Sequence, residues 1–101
     1  MELILKNGAG ISADEKIYVG SKPILAYVTA IATSFQRADN VSILARGRAI
    51  SNAVDAVEVP RRSFITDLNV NGIQIGTEQL GEKGAERSVS TITIKISRST
   101  P

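Results

Sequence analysis

The sequence predicts an α/β fold, a two-layer α+β sandwich of sheet and helices. Three observations predict it. Apolar residues recur at every second position in some segments and at helical spacing in others, which separates strands from helices. These segments follow one another in the order β-α-β-α-β-β. The length of 101 residues suffices for one hydrophobic core and is too small for two.

The first strand and helix are predicted on either side of Gly20. Residues 16–19 are a strand candidate that this glycine closes. Ser21 is expected to cap a helix whose first turn holds Pro23, since the N–H that proline lacks would be unpaired there. The helix is expected to end at residues 39–40. Its apolar stripe comprises Ile24, Leu25, Val28, Ile31, Ala32 and Phe35.

The second strand and helix are joined by a turn that contains two arginines. Apolar positions alternate over residues 41–45 and lead into Arg46, Gly47 and Arg48. A helix is expected to follow, which Pro60 should stop or kink within about one turn. The positions expected on its apolar face are Ile50, Ala53, Val54 and Val57.

Two further strands are predicted to form a long C-terminal β-hairpin arm. Apolar positions alternate in residues 68–70 and then, in the opposite phase, in residues 73–75. The break at Asn71-Gly72 is explained by a hairpin turn or by a bulge within one strand. The bulge is favoured because hairpin strands of three residues would pair weakly. Residues 89–98 form the clearest strand, with Ile92, Ile94 and Ile96 on one face, after a long connection from Gln79 to Ser88.

Composition excludes several classes of function. The chain has no cysteine and no histidine, so disulfides, thiolate nucleophiles, zinc sites with Cys or His ligands and Ser-His-Asp catalysis are excluded. No apolar run approaches the ~20 residues of a membrane span, and no secretory signal is recognisable. We therefore expect a cytoplasmic protein with no membrane partner, no metal and no cofactor.

The charge is distributed unevenly between an N-terminal tail, residues 1–15, and a domain, residues 16–101. The formal net charge is +2, but the tail has more acids than bases, which leaves +4 on the domain. This balance favours a polyanionic partner. The tail is predicted either to add an edge strand through its Leu-Ile-Leu segment or to be disordered.

The Arg-Gly-Arg turn at residues 46–48 carries the strongest functional signal. It places two guanidinium groups beside a helix N-terminus, whose free N–H groups favour anions. The planar fork of arginine suits phosphate, so the turn predicts polyanion binding. The alternative is an ordinary solvated turn with two surface arginines.

Several segments of the sequence, taken in order and at their separations, match one known family. They are residues 17–23 (Ile-Tyr-Val-Gly-Ser-Lys-Pro), 27–28, 45–51 (Ala-Arg-Gly-Arg-Ala-Ile-Ser), 53–55, 57–58, 64 and 89–92. They resemble the Alba family, small nucleic-acid-binding proteins of archaeal chromatin with eukaryotic RNA-processing relatives. The resemblance covers residues 16–98 and implies an archaeal, chromosome-associated protein. It also implies a homodimer that lays two hairpins along a duplex and binds DNA and RNA through the backbone with little sequence preference.

The resemblance implies roles for individual residues. Lys22 matches a lysine that contacts nucleic acid, and Arg46 and Arg48 match the arginines of the Arg-Gly-Arg turn on either side of Gly47. Ser21 stands where some members carry a lysine that is acetylated, so that control is not available here. Phe64 matches an aromatic residue that packs one dimer against the next, although it is also a candidate for the core beneath the helix–strand link.

The arm is less cationic than is usual in the family. Its basic residues are Lys83 and Arg87, and Glu78, Glu82 and Glu86 offset them. We expect both basic residues to contact nucleic acid, although the pair is also consistent with a charge-balanced loop.

Three functions follow for comparison. The first is a chromatin protein that coats or compacts duplex DNA as a homodimer and also binds RNA. The second is an RNA chaperone or a ribonuclease P-type accessory subunit. The third, a small enzyme using Asp55 and Glu58 as paired carboxylates, is disfavoured because nothing encloses these helix-surface acids.

Overall fold

Four strands and two helices make up residues 14–99, the part of the chain that the computed structural model describes. The predicted element order and the α+β class are confirmed. The predictions for the N-terminal tail fall mainly on residues 1–13, outside the described residues. The elements are β1 (Asp14–Tyr18), α1 (Ile24–Ser34), β2 (Asn40–Arg46), a 3-10 turn (Gly47–Ala49), α2 (Ile50–Ser63), β3 (Leu68–Leu80) and β4 (Arg87–Arg98).

The described strands form one sheet in the order β1-β2-β4-β3. β1 runs parallel to β2, and the other two pairs are antiparallel. Because parallel strands end at the same edge of a sheet, the loop after β1 and the turn after β2 are neighbours. The register places Tyr18 beside Leu44, and the Val19 N–H donates to the Leu44 carbonyl at 2.8 Å.

The core lies between one face of the sheet and the helices. Side chains alternate along β2, buried at Val41, Ile43 and Ala45 and more exposed between them. Ile94 and Ile96 of β4 are buried on the same face, as predicted from their alternation. Ile92 also packs against this core and is partly buried.

Each helix differs from its predicted form. α1 starts after Pro23 and ends at Ser34, and no described side chain caps its first turn, so the predicted capping by Ser21 is wrong. α2 ends at Ser63, three residues past Pro60, so the predicted stop within about one turn is confirmed. The ring of Pro60 is buried, and its carbonyl accepts from the Phe64 N–H. The predicted apolar face is wrong at Val54, which is 42% exposed. The buried face of α2 comprises Ala53, Ala56, Val57 and Pro60.

The phase change in β3 is a bulge, so the hairpin alternative at this position is wrong. β3 pairs with β4 along its length, and the register shifts between Val70 and Gly72. The amide of Asn71, the inserted residue, donates to the Ser97 hydroxyl at 2.8 Å. The extra residue shifts by one position which residues of β3 face the core. This shift explains why the apolar alternation changes phase after the bulge.

The arm is longer, and its loop shorter, than the sequence indicates. The strands continue to Leu80 and Arg87, so that residues 81–86 alone form the tip. Gly81 and Gly84 have φ values of 104° and 89°, which side chains rarely adopt. A Cβ at Gly81 would also lie 2.8 Å from the Ala85 carbonyl oxygen. These glycines permit the tight reversal.

Candidate functional site

The Arg-Gly-Arg turn forms the corner between β2 and α2. β2 ends at Arg46, and Gly47 begins the 3-10 turn with a φ of 59°, a left-handed conformation that favours glycine. The chain therefore changes direction within one residue. Arg46 and Arg48 are both exposed on either side of the corner. The turn thus presents two guanidinium groups to solvent at the start of α2.

The loop that carries Lys22 is fixed beside this turn by three hydrogen bonds. The N–H groups of Gly20 and Lys22 donate to the Tyr27 hydroxyl oxygen at 2.8 and 3.0 Å. The Asn52 amide, near the start of α2, donates to the Gly20 carbonyl at 2.9 Å. Buried Tyr27 therefore organises a loop whose lysine is exposed. The structure places the loop of Lys22 and the Arg-Gly-Arg turn at one edge of the sheet, which we call the cationic edge.

Arg46 already has an acidic partner. Its guanidinium Nη1 lies 2.9 Å from Oε1 of Glu78, on β3 where the arm leaves the sheet. By its position in the sequence, this glutamate is one of three acids that offset the basic residues of the arm. The contact depends on the register of three strands, because β4 lies between β2 and β3. No sequence signal indicated it.

Lys83 and Arg87 lie apart from the cationic edge. Arg87 is four residues beyond Thr91, the β4 residue paired with Arg46, or about 13 Å along an extended strand. Lys83 belongs to the tip. At the tip, the Gly84 N–H donates to the Glu86 carboxylate at 3.1 Å. The predicted basic residues therefore form two groups, one at the sheet edge and one on the arm.

The described surface provides no support for paired catalytic carboxylates. Arg61 donates two hydrogen bonds of 2.7 Å to Glu58, and these bonds lower the pKa of that carboxyl. A lowered pKa opposes a role as a general acid near neutral pH. Within residues 14–99, no cluster of three or more acidic side chains could hold a metal ion. Asp55 is simply exposed.

Phe64 is 60% exposed at the end of α2, so the alternative in which it fills the core is wrong. A larger apolar surface, missed by the sequence analysis, lies on the helix-facing side of β3. We call it the β3 patch; its exposed members are Val54, Val70, Ile73 and Ile75. Ile73 pairs with Ile94 and Ile75 with Ile92, which places them on the core side of the sheet.

The β3 patch borders a cavity of about 470 Å³ lined in part by Ile50, Ile75 and Ile92. Ile50 and Val54, four residues apart on α2, lie on one face of that helix. The alternation in the sequence predicted inward-facing side chains here. It could not show that β3 is an edge strand, where Ile75 remains 82% exposed.

Comparison with known proteins identifies similar chains. The Alba family model matches residues 15–79. The "DNA/RNA-binding protein Alba" of Methanocella arvoryzae is 51% identical over 87 residues, covering 84% of this chain and 91% of that protein. "DNA/RNA-binding protein Alba 1" of Archaeoglobus fulgidus is 44% identical over 87 residues, covering 85% and 98%. The structure of Alba from Thermoplasma volcanium has a TM-score of 0.76 at 42% identity, covering 82% and 99%.

Proposed function

The chain belongs to the Alba family, and on that basis we propose that it binds duplex DNA and RNA without sequence preference as a chromosome-associated chromatin protein. The observation that carries the proposal is the cationic edge, where Lys22, just before α1, and Arg46 and Arg48, just before α2, are all exposed. The similar proteins of Methanocella arvoryzae and Archaeoglobus fulgidus, both named as DNA/RNA-binding, support DNA and RNA as the ligands. We propose no enzymatic activity.

The chemistry of the cationic edge suits a phosphate backbone. Each arginine offers a planar fork of donors to phosphate oxygens, and Lys22 adds a point charge. The N-terminal N–H groups of the 3-10 turn and α2 favour the same anions. Gly47 has no side chain that would hold the backbone away from a ligand. Such contacts fix position without reading bases, which accounts for a lack of sequence preference.

The arm extends this surface. Lys83 and Arg87 lie beyond the sheet on a two-stranded ribbon, which suits tracking of phosphates along a groove. Glu78, Glu82 and Glu86 reduce the charge of the arm, so we assign the larger share of binding to the cationic edge.

We assign homodimerisation to the β3 patch. Its apolar side chains are exposed on an edge strand, and contiguous exposed apolar surface marks an interface. Two copies joined there would bring two cationic edges and two arms onto one ligand, so that a dimer coats or compacts DNA. Phe64, exposed at the end of α2, is proposed to contact the next dimer along DNA.

Double substitution Arg46→Gln/Arg48→Gln tests the proposal. We expect it to weaken binding of both duplex DNA and structured RNA by roughly tenfold or more at low salt. For the wild type, log Kd should change with log salt with a slope near 0.9 per neutralised phosphate of duplex DNA. In the variant the slope should fall by about 1.8 for each cationic edge in contact with the duplex, or about 3.6 for a dimer that uses both edges. The measurement is a fluorescence-anisotropy titration at several salt concentrations.

Arg61→Gln/Arg62→Gln is the matched control, because it removes the same charge from the other end of α2. Equal losses in the two double variants would contradict a site at the cationic edge, since net charge alone would then explain the effect. Affinity that does not change with salt would contradict phosphate binding altogether.

The second candidate, an RNA chaperone or a ribonuclease P-type accessory subunit, is favoured by the acid-balanced arm. Competition between duplex DNA and structured RNA of equal length distinguishes it. Preference for RNA by tenfold or more would favour this candidate, whereas comparable affinities support the chromatin role.

A further inference from the structure

The face of the sheet opposite the helices, which we call the open face, presents an exposed aromatic ring. Tyr18 is 71% exposed, and register pairs it with Leu44, which pairs with Thr93, which pairs with Gln74. Opposed residues of neighbouring strands project to the same face, so these four side chains form one row across the sheet. The core residues Ile17, Ile43 and Ile94 alternate with them and face the helices.

Basic side chains flank this row on both sides. Lys16 and Lys95 lie one row away, in register through Ser42, and both are exposed. Arg46 lies one row away in the other direction, paired with Thr91. Neighbouring rows on one face are about 7 Å apart, two residues along a strand. The ring of Tyr18 therefore lies between Lys16 and Lys95 on one side and Arg46 on the other.

The acidic residues of the open face lie farther from the ring. Asp14 is two rows from Tyr18 at one end, and Glu78, at the other end, is already paired with Arg46. The middle of the open face is thus aromatic and basic. A cavity of about 480 Å³ at this position is lined in part by Tyr18, Arg46 and Thr93, and also by Glu78, the carboxylate that pairs with Arg46.

We propose that the open face binds single-stranded RNA, with an unpaired base stacked on Tyr18 and the flanking phosphates on Lys16, Lys95 and Arg46. An exposed aromatic ring on a sheet, flanked by cations, provides both the stacking and the charge that single strands need. The Thr91 and Thr93 hydroxyls and the Gln74 amide supply hydrogen-bonding groups on the same face. A ribose 2′-hydroxyl, which both donates and accepts hydrogen bonds, fits such a polar surface and selects RNA over DNA.

This inference deepens the proposed function and rests on it, because Arg46 serves both surfaces. It adds single-stranded RNA as a ligand, which the cationic edge alone would not distinguish from a duplex. Bases within a duplex are already stacked on their neighbours, so a duplex gains nothing from Tyr18. Single-stranded RNA gains one stacked base and the charges beside it.

Substitution Tyr18→Leu, with Tyr18→Phe as the conservative control, tests the inference. We expect Tyr18→Leu to weaken binding of a short oligouridine RNA by roughly tenfold, the size of one lost stacking contact, and to leave duplex DNA binding unchanged. Tyr18→Phe keeps the ring and should bind the RNA like the wild type. Equal RNA affinity of Tyr18→Leu and wild type, or equal losses on RNA and duplex, would overturn the proposal.

Ligand variants provide an independent test. An abasic oligonucleotide of equal length and charge should bind the wild type as weakly as oligouridine binds Tyr18→Leu. The corresponding oligodeoxyuridine should bind more weakly than the RNA; equal or tighter binding that still depends on Tyr18 would overturn the assignment to RNA.

Tyrosine fluorescence reports stacking directly. The chain has two tyrosines and no tryptophan, and Tyr27 is buried, so quenching by oligouridine should arise from Tyr18. Emission that oligouridine leaves unchanged at saturation would contradict the stacked base. Failure of the proposed function would instead appear as duplex binding that does not depend on Arg46 and Arg48. The fluorescence titration with oligouridine and the duplex titration therefore test the two proposals separately.

Discussion

At the residue scale, the Arg46–Glu78 ion pair sets the charge that the cationic edge offers to a ligand. The carboxylate occupies one donor of the guanidinium at 2.9 Å, and a phosphate must compete with it. Both side chains are largely exposed, so the pair is weak and can be displaced. We therefore expect Glu78 to lower the affinity of the edge for nucleic acid without blocking it.

Substitution Glu78→Gln should tighten binding of duplex DNA by about two- to fivefold at low salt, because it frees Arg46 and removes a nearby negative charge. Glu82→Gln removes the same charge at the arm tip, away from the turn, and should have a smaller effect. The advantage of Glu78→Gln over this control should disappear in an Arg46→Gln background. Anisotropy titrations of the three single variants and the two double variants measure the coupling. Equal effects of both glutamates in the wild-type background would contradict competition at Arg46.

Site residues could be predicted from the sequence where their placement depends on neighbouring residues alone. Arg46, Gly47 and Arg48 are contiguous, so their placement at a strand-to-helix corner follows from local pattern alone. The loop of Lys22 was placed correctly after β1, but its predicted cap at Ser21 was wrong. The Tyr27 hydroxyl, from within the helix, binds the loop N–H groups instead. Local propensity favoured serine, but the helix begins only after Pro23, and the ordering of the loop comes from the buried tyrosine.

At the element scale, β1 is the outermost strand of the sheet formed by residues 14–99, and an ion pair connects it to Arg37, just after α1. Arg37 donates two hydrogen bonds of 2.8 Å to the Glu15 carboxylate. These bonds are the main reason that the pKa of Glu15 lies below its ordinary value, and the Ser34 hydroxyl adds to the effect. β1 also carries Lys16 and Tyr18 of the open face, so the contact supports that surface.

The lowered pKa of Glu15 predicts a pH dependence of stability. A carboxyl whose pKa is lower in the folded state stabilises the fold fully above its ordinary pKa of 4.5, and the contribution is lost as the pH falls through the lowered value. We expect Arg37→Gln to reduce the free energy of unfolding at pH 7 and to reduce it much less at about pH 3. Urea unfolding at the two pH values measures this difference. Arg48→Gln, an exposed arginine at the turn, is the control; a pH-independent loss in Arg37→Gln would contradict the linkage.

Elements were predictable where their pattern is local and where one face is clearly buried. The alternation of Ile92, Ile94 and Ile96 defined β4, and the phase change correctly favoured a bulge in β3. The prediction that Val54 is buried was wrong, because helical spacing gives the width of an apolar stripe and not its centre. The centre depends on how α2 lies on the sheet. The arm strands exceed their predicted length because residues 77–80 and 87–88 lack apolar alternation. They pair through the backbone and through a hydrogen bond from the Gln79 amide to the Ser88 hydroxyl.

At the scale of the whole molecule, the homodimer we propose is assigned to the β3 patch, which strand order creates. β3 is the outermost described strand on the β4 side of the sheet. The helices cover β2, and the inward-facing isoleucines of β3 lie outside that cover. Sequence alone predicted the alternation of these side chains and not their exposure. The homodimer therefore entered the sequence analysis only through the family resemblance, whereas the structure identifies a surface that suits it.

Double substitution Ile73→Thr/Ile75→Thr tests this surface. Threonine keeps the β-branched shape that favours a strand, and both isoleucines are exposed in the single chain, so the fold should be retained. We expect the wild type to sediment as a dimer and the variant as a monomer at the same concentration. Duplex DNA binding should weaken by roughly 100-fold, because the two cationic edges no longer act on one ligand.

The control for this prediction is Leu25→Gln, which changes an equally exposed apolar residue, 65% exposed, on α1 and outside the β3 patch. It should sediment as a dimer and bind duplex DNA like the wild type. A variant of the β3 patch that remains dimeric would move the interface to another surface. A monomer that keeps full affinity would show that one cationic edge and one arm suffice, and dimerisation would then serve to bridge or compact DNA rather than to strengthen each contact.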